Sequence, residues 1–463
     1  MGMTMAEKVL ARAAGLSAVE AGEYVTAKAD RLMAHEAFAL SALTLKGQGV
    51  NELYDPDRVV VVLDHYFPAP TTKMADAHVL IRQLVKEYGI KNFYAHSGIC
   101  HQVMCEKGDV VPGLLILGTD SHTTTYGAFG AAGTGIGQTE MSYVMATGEL
   151  WLMVPPTTRF ELVGDSPPGI MAKDIFLYLA GRYGTEAAQY KAIEFAGPVA
   201  KRMSLAGRMT MANMGVEMGA KFAFFEADEK TVEYVQTRSQ GPVSRFGPDQ
   251  EAIYESVFTV DIGGLEPQVA WPHNPGNVRG VSEVGEVAVD QAFLGSCTNG
   301  RLEDLAVAAE ILVGRHVHQH TRLLVTPASQ EVLLEAEKNG YIRTLLEAGA
   351  QLSPAGCGAC PGGHMGVLGG GETCISSTNR NFVGRMGSEN AFVYLASPAT
   401  VIASAVAGRI IDPRVYWSGQ TVASIFGIPL PWPCLRWFAL VCTPPSRKAM
   451  KWSWTSKPAN CGT

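Results

Sequence analysis

This chain is sparing with charge: 17% of its 463 residues are charged, and the formal net charge is −7. No basic stripe is available to grip nucleic acid, and the acidic balance disfavours such a partner. No secretion leader is expected either. Met1-Gly2-Met3-Thr4-Met5-Ala6-Glu7-Lys8 is broken by charge before an apolar core can form, so it predicts the start of a helix, and Ala6 stands where a lipidation signal needs a hydroxyl. Nor is there a repeat of fixed period. Gly133-Thr134-Gly135-Ile136-Gly137 has neither the G-x-G-x-x-G spacing nor the Gly-Lys-Ser/Thr of a phosphate loop, which leaves these glycines as turn and close-packing residues. One apolar stretch, 421–442, raises a membrane span, but Arg436 and prolines at 429, 431 and 433 count against a stable helix there. The expectation is a cytoplasmic protein with no nucleic-acid and no membrane partner.

Apolar residues make up 47% of the sequence and glycine occurs 50 times, the balance of a packed α/β protein with about three domains at this length. Nine cysteines without a leader predict a reducing compartment, where thiols serve as ligands or core filler. Short apolar runs at 59–63, 114–117 and 287–294 each end in a polar loop and predict buried strands. Between such runs, 75–88 and 302–313 have helical periodicity. This alternation implies α/β layers, in which ligands gather beyond the carboxyl ends of the strands. Proline- and glycine-rich stretches near 154–156 and 272–276 set the expected domains at 1–154, 155–272 and 273–419. The remainder, 420–463, holds four of the seven tryptophans, three of the nine cysteines, five basic residues and no acidic one. That break in composition predicts an atypical tail, non-native or disordered.

The chemistry concentrates in cysteine. Cys297 lies in Gly-Ser-Cys-Thr-Asn-Gly-Arg, and Cys357 and Cys360 form a C-x-x-C pair in Gly-Cys-Gly-Ala-Cys-Pro-Gly-Gly. Three soft donors can mount an iron-sulfur cluster or a zinc ion with one corner left over. A structural zinc would need a fourth ligand, for which His316, His318 and His320 are candidates; a redox pair is the other plain reading of C-x-x-C. Cys100, Cys105 and Cys374 lie in apolar surroundings and predict core positions. Around the ligand cysteines stand polar loops suited to proton transfer: Asp64-His65, His101-Gln102, Asp120-Ser121-His122 and Asn213-Met-Gly-Val-Glu217. The loop Asn379-Arg380-Asn381-Phe382-Val383-Gly384-Arg385 offers two guanidinium forks for carboxylates. Arg301, just after the Cys297 loop, starts a helix or supports that loop.

Taken in order, these motifs resemble the large subunit of the aconitase superfamily, in its short 3-isopropylmalate dehydratase and homoaconitase type, from about residue 5 to 415. The resemblance implies three α/β/α domains around a central cleft, without a swivelling fourth domain. In that cleft it implies a 4Fe-4S cluster with one open iron, ligated by Cys297, Cys357 and Cys360. It assigns Asp64, His65, His101, Asp120, His122 and Glu217 to catalysis, with His65 as the general acid. Ser121, Asn213, Asn379, Arg380 and Arg385 are assigned to substrate binding, the asparagines close to the cluster and the arginines on carboxylates. It gives no pairing of imidazoles with carboxylates.

The implied reaction is a hydro-lyase step on a small malate-type di- or tricarboxylic acid: 3-isopropylmalate first, with homocitrate, citramalate and dimethylmalate as alternatives. A separate small subunit carrying the swivelling domain is the implied partner, since nothing in 420–463 resembles that domain. His35-Glu36-Ala37-Phe38-Ala39-Leu40 departs from the family, which has threonine after His-Glu, and this puts one substrate-side contact in question. A reading of a different class is an RNA-binding iron-sulfur regulator, against which the acidic balance counts.

Overall fold

Four consecutive valines, Val59–Val62, form a strand buried at every residue, as in a parallel sheet covered on both faces. The structure is a computed structural model that describes residues 2–417; the tail expected at 420–463 lies outside the described residues. Alternation assigns the valines to opposite sides. Val59 and Val61 pack with Ile81, Leu84 and Val85 of helix Thr72–Glu87, whereas Val60 and Val62 join a second core with Phe160, Ile175 and Phe195. The run 75–88 is thus a helix, as its periodicity implies.

The strand belongs to a five-stranded parallel sheet, in the order Asn92–Tyr94, Val59–Val62, Arg31–Ala34, Leu115–Gly118, Ala132–Gly135. A four-stranded parallel sheet follows: Phe222–Phe225, Ala192–Ala196, Thr157–Val163, Ser256–Asp261. The third has seven strands, ordered Val278–Gly280, Gln268–Ala270, Phe392–Ala396, Thr373–Ser376, Gln291–Leu294, Arg322–Val325, Gln351–Leu352. Its first two strands run antiparallel to their neighbours and the others are parallel. A small antiparallel ribbon pairs Tyr24–Lys28 with Glu149–Met153. No helix among the described residues is long and apolar enough to cross a membrane.

Gln268–Ala270 already pairs within the seven-stranded sheet, so the change of sheet falls between Asp261 and Gln268. The proline and glycine at 272–276 make a hairpin turn: Trp271 N–H donates to Asn277 O at 2.8 Å, and Gly276 N–H to Asn274 Oδ1 at 2.7 Å. Turn residues punctuate a hairpin as readily as a linker.

Two sheets reverse their strand order at a point that matters. In the five-stranded sheet the reversal lies between Arg31–Ala34 and Leu115–Gly118, and in the seven-stranded sheet between Gln291–Leu294 and Thr373–Ser376. Such switch points open crevices at the strands' carboxyl ends. His35-Glu36 and Asp120 follow the first pair of strands; Cys297 and Asn379-Arg380 follow the second.

Candidate active site

Strand Gln291–Leu294 ends in Gly295-Ser296-Cys297, with Ser296 at φ 79. A serine in this left-handed region costs about 1–3 kcal/mol, so the loop is held from outside. Arg301, 4% exposed, does the holding: Nη2 donates to Cys297 O and Nη1 to Thr298 O, each at 2.7 Å, while Nε donates to Gln102 Oε1 at 3.2 Å. Arg301 takes both roles open to it, as N-cap of helix Leu302–Leu312 and as support of the loop. In the C-x-x-C loop, Cys357 N–H donates to Asp64 O at 3.1 Å. Gly358 has φ 59, and a Cβ there would lie 2.5 Å from Thr326 Oγ1.

Cys297, Cys357 and Cys360 are free, buried and line one small cavity with Asp64, His65, His101, Asp120, His122, Asn379 and Arg385. Wider depressions open elsewhere, but this one collects the soft donors. Burial pushes the Cys297 thiol up to about 12 and that of Cys357 well above its usual 9.0. Binding a metal there must therefore release protons. Among the described residues no disulfide joins the C-x-x-C pair. The structure does not bring His316, His318 or His320 to the thiols: His318 N–H donates to Ala405 O, and its ring lies against Gly408 and His320. Cys100 and Cys374 are core residues.

Three imidazoles each meet a carboxylate. His65 Nδ1 is 2.6 Å from Asp64 Oδ1, His101 Nε2 is 2.8 Å from Asp120 Oδ1, and His122 Nε2 is 2.8 Å from Glu217 Oε1. Asp64 is fixed in turn by the Cys100 N–H at 2.7 Å, and Asp120 by the His122 N–H at 2.7 Å. His65 Nε2 lies 3.3 Å from Asp120 Oδ2, and its side chain keeps 19% exposure. Burial alone would lower the His65 pKa, but Cys357, Asp64 and Asp120 raise it well above 6.5. Burial instead prevails at His101, whose pKa is lowered.

Arg380 Nε stands 2.7 Å from Glu217 Oε1, an ion pair without hydrogen-bond alignment, and Arg385 Nη2 is 3.5 Å from Cys360 Sγ. The Nε atoms of both arginines are buried with no hydrogen-bond acceptor. Asn379 Nδ2 is 3.3 Å from Cys297 Sγ. Asn213 lies behind it, wholly buried, with Oδ1 accepting from Thr298 Oγ1 at 2.9 Å. Ser121 Oγ is 3.4 Å from His122 Nδ1, and the residue lines a separate depression with Tyr190 and Lys221.

Glu36 is a partner that motif reading passed over. It accepts the N–H of Tyr66 at 3.0 Å and of His65 at 3.3 Å. Burial would raise its carboxyl, but His35, His78 and His65 hold it far below the usual range. The His35 ring stacks on that of His65 with centroids 4.3 Å apart. The segment without threonine thus braces His65 from behind. The signal lay in its position: His35-Glu36 directly follows a central strand.

The aconitase family (aconitate hydratase) matches residues 7–408. The 3-isopropylmalate dehydratase large subunit 1 of Methanopyrus kandleri is 50% identical over 418 residues, which span 90% of this chain and all of that one. The 3-isopropylmalate dehydratase large subunit of Aquifex aeolicus is 46% identical over 432 residues, 92% of this chain and all of that one. A probable methanogen homoaconitase large subunit from Methanothermobacter thermautotrophicus is 44% identical over 419 residues, 89% of this chain and 98% of that one.

Proposed function

The chain belongs to the aconitase family, and on that premise we propose that it is the large subunit of a 3-isopropylmalate dehydratase, a hydro-lyase that acts with a small subunit. The observation that carries this reading is one cavity lined by three buried thiols, by His65, His101 and His122 with Asp64 and Asp120, and by Arg385. The printed names of the relatives at 50% and 46% identity supply the substrate and, through "large subunit", the partner. The three sheets correspond to three domains around the cavity, with the second boundary between Asp261 and Gln268.

Cys297, Cys357 and Cys360 would hold the family's iron-sulfur cluster. The donor set fits: three buried soft ligands face one cavity, no fourth cysteine lines it, and the two arginine Nε atoms nearby lack acceptors. Three thiolates suit a 4Fe-4S cluster with one open iron. When bound, the cluster supplies a Lewis acid at that iron for a substrate hydroxyl. The rest of the chemistry falls to side chains. Arg380 and Arg385 take substrate carboxylates, as guanidinium forks do. His65, held protonated by Asp64 and Asp120, donates its Nε2 proton to the departing hydroxide. His101 with Asp120, and His122 with Glu217, orient the substrate hydroxyl and water. Asn379 completes the substrate-side surface, Ser121 acts through its contact with His122 Nδ1, and Asn213 braces the cluster loops.

The base that removes the carbon-bound proton, and a further carboxylate-binding arginine, come by family resemblance from the swivelling domain of the small subunit. A cytoplasmic setting suits six described cysteines that are all unpaired. The test is activity of the anaerobically iron-loaded chain with its small subunit. 3-Isopropylmalate should turn over with a higher kcat/KM than homocitrate, citramalate or dimethylmalate. Preference for homocitrate would move the assignment to the homoaconitase relative, and an iron-replete complex inert on all four acids would overturn it.

A further inference from the structure

Lys173 sits in the first turn of helix Ala172–Tyr183 with 0% exposure. Its Nζ donates to the carbonyl oxygens of Ser377, at 2.5 Å, and of Thr378. Both acceptors are neutral. The neighbouring carboxylate of Asp174 is occupied elsewhere, accepting the N–H of Met171 at 2.8 Å and of Gln268 at 2.9 Å. Asp304 is likewise engaged by the N–H groups of Gly300 and Arg301 and by Asn299 Nδ2. A buried ammonium paired only with carbonyls carries a desolvation cost of several kcal/mol. Burial pushes Lys173 down to about 7, and the negative groups that act against this are Cys360, Asp174, Asp304 and Cys297.

Neither carboxylate hydrogen-bonds to the ammonium, and the other groups that act on it are the thiols. The two carbonyls that Lys173 holds also lead directly into Asn379, whose Nδ2 reaches Cys297 Sγ at 3.3 Å. We propose that Lys173 is the buried counter-charge of the thiolate-ligated cluster, a positioning residue that balances its negative charge from beneath the Ser377–Thr378 backbone. This rests on reading Cys297, Cys357 and Cys360 as the cluster mount. In the metal-free protein the cluster's charge is absent and burial of the ammonium is an uncompensated cost; in the loaded protein it opposes net negative charge at low dielectric.

The two states therefore respond in opposite directions when the charge is removed. Lys173→Gln keeps a donor for the carbonyls and deletes the charge, and Lys173→Met deletes both. The full chain would be compared metal-free and iron-loaded. Metal-free Lys173→Gln should unfold at or above the wild-type temperature. Its loaded form should lose iron to a chelator several-fold faster and show a more negative cluster reduction potential. Uptake of no iron by a variant whose metal-free form is as stable as wild type upholds the proposal in the same sense. Wild-type potential and iron retention in loaded Lys173→Gln would overturn it, as would equal destabilisation of both states, the signature of a purely structural clamp. Wild-type protein that binds no iron with its thiols intact would instead sink the cluster reading itself, and the proposal with it.

Discussion

Asp120 contacts all three histidines that line the cavity, through two side chains and through the N–H of His122. Burial works to raise its carboxyl, but hydrogen bonds from His101, His122 and His65 hold it well below the usual 3.8. A depressed carboxyl contributes stability that is complete above its unfolded pKa and lost as pH falls through its folded one. Metal-free Asp120→Asn should thus be less stable than wild type by about 3 kcal/mol at neutral pH, the scale for breaking a buried charged network. It should also show a flatter acid limb in urea unfolding between about pH 6 and 2. An acid limb as steep as wild type would contradict this role. For His65 the expectation is kinetic. His65→Ala should lower turnover by roughly 10²- to 10⁴-fold, the range for a general acid, with the iron content unchanged; near-normal kcat would remove it from catalysis. The residues at this scale were legible as motifs, but their pairing was not. Asp64-His65 is written in adjacent letters, whereas His122 and Glu217 meet across 95 residues.

Loops after parallel strands carry Asp64, His65, Asp120, Cys297, Cys357, Cys360 and Asn379 of the candidate site, whereas His101 and Asn213 come from helices. The apolar runs at 59–63, 114–117 and 287–294 announced these strands, and the observed ones, Val59–Val62, Leu115–Gly118 and Gln291–Leu294, lie within a residue or a few of them. The stretch 272–276 is a turn within the seven-stranded sheet; proline and glycine encode a local bend and carry no record of which sheet the flanking strands join. Loop geometry is also where a small change should tell most. Gly358→Ala places a methyl against Thr326 Oγ1 at a positive φ, which should cost about 1–3 kcal/mol. The expected outcome is a lower thermal midpoint and substoichiometric iron after reconstitution. Wild-type iron content in that variant would mean that the C-x-x-C loop tolerates more freedom than its packing implies.

At the scale of the whole molecule, two sheets present their crevices to one cavity, the five-stranded sheet bringing imidazoles and the seven-stranded sheet bringing thiols and Arg385. Order along the chain already carried the family, since seven motifs in a fixed sequence are far more specific than any one of them. A buried support such as Lys173 was not legible, because an ammonium without a motif reads as surface until its burial is known. The account stands on the three thiols acting as one mount. Iron and visible absorbance after anaerobic reconstitution test it directly, comparing Cys297→Ser, Cys357→Ser and Cys360→Ser with Cys100→Ser and Cys374→Ser. The account predicts loss of the cluster in each of the first three and full iron in the last two; full iron in any of the first three, with the brown chromophore intact, would contradict it.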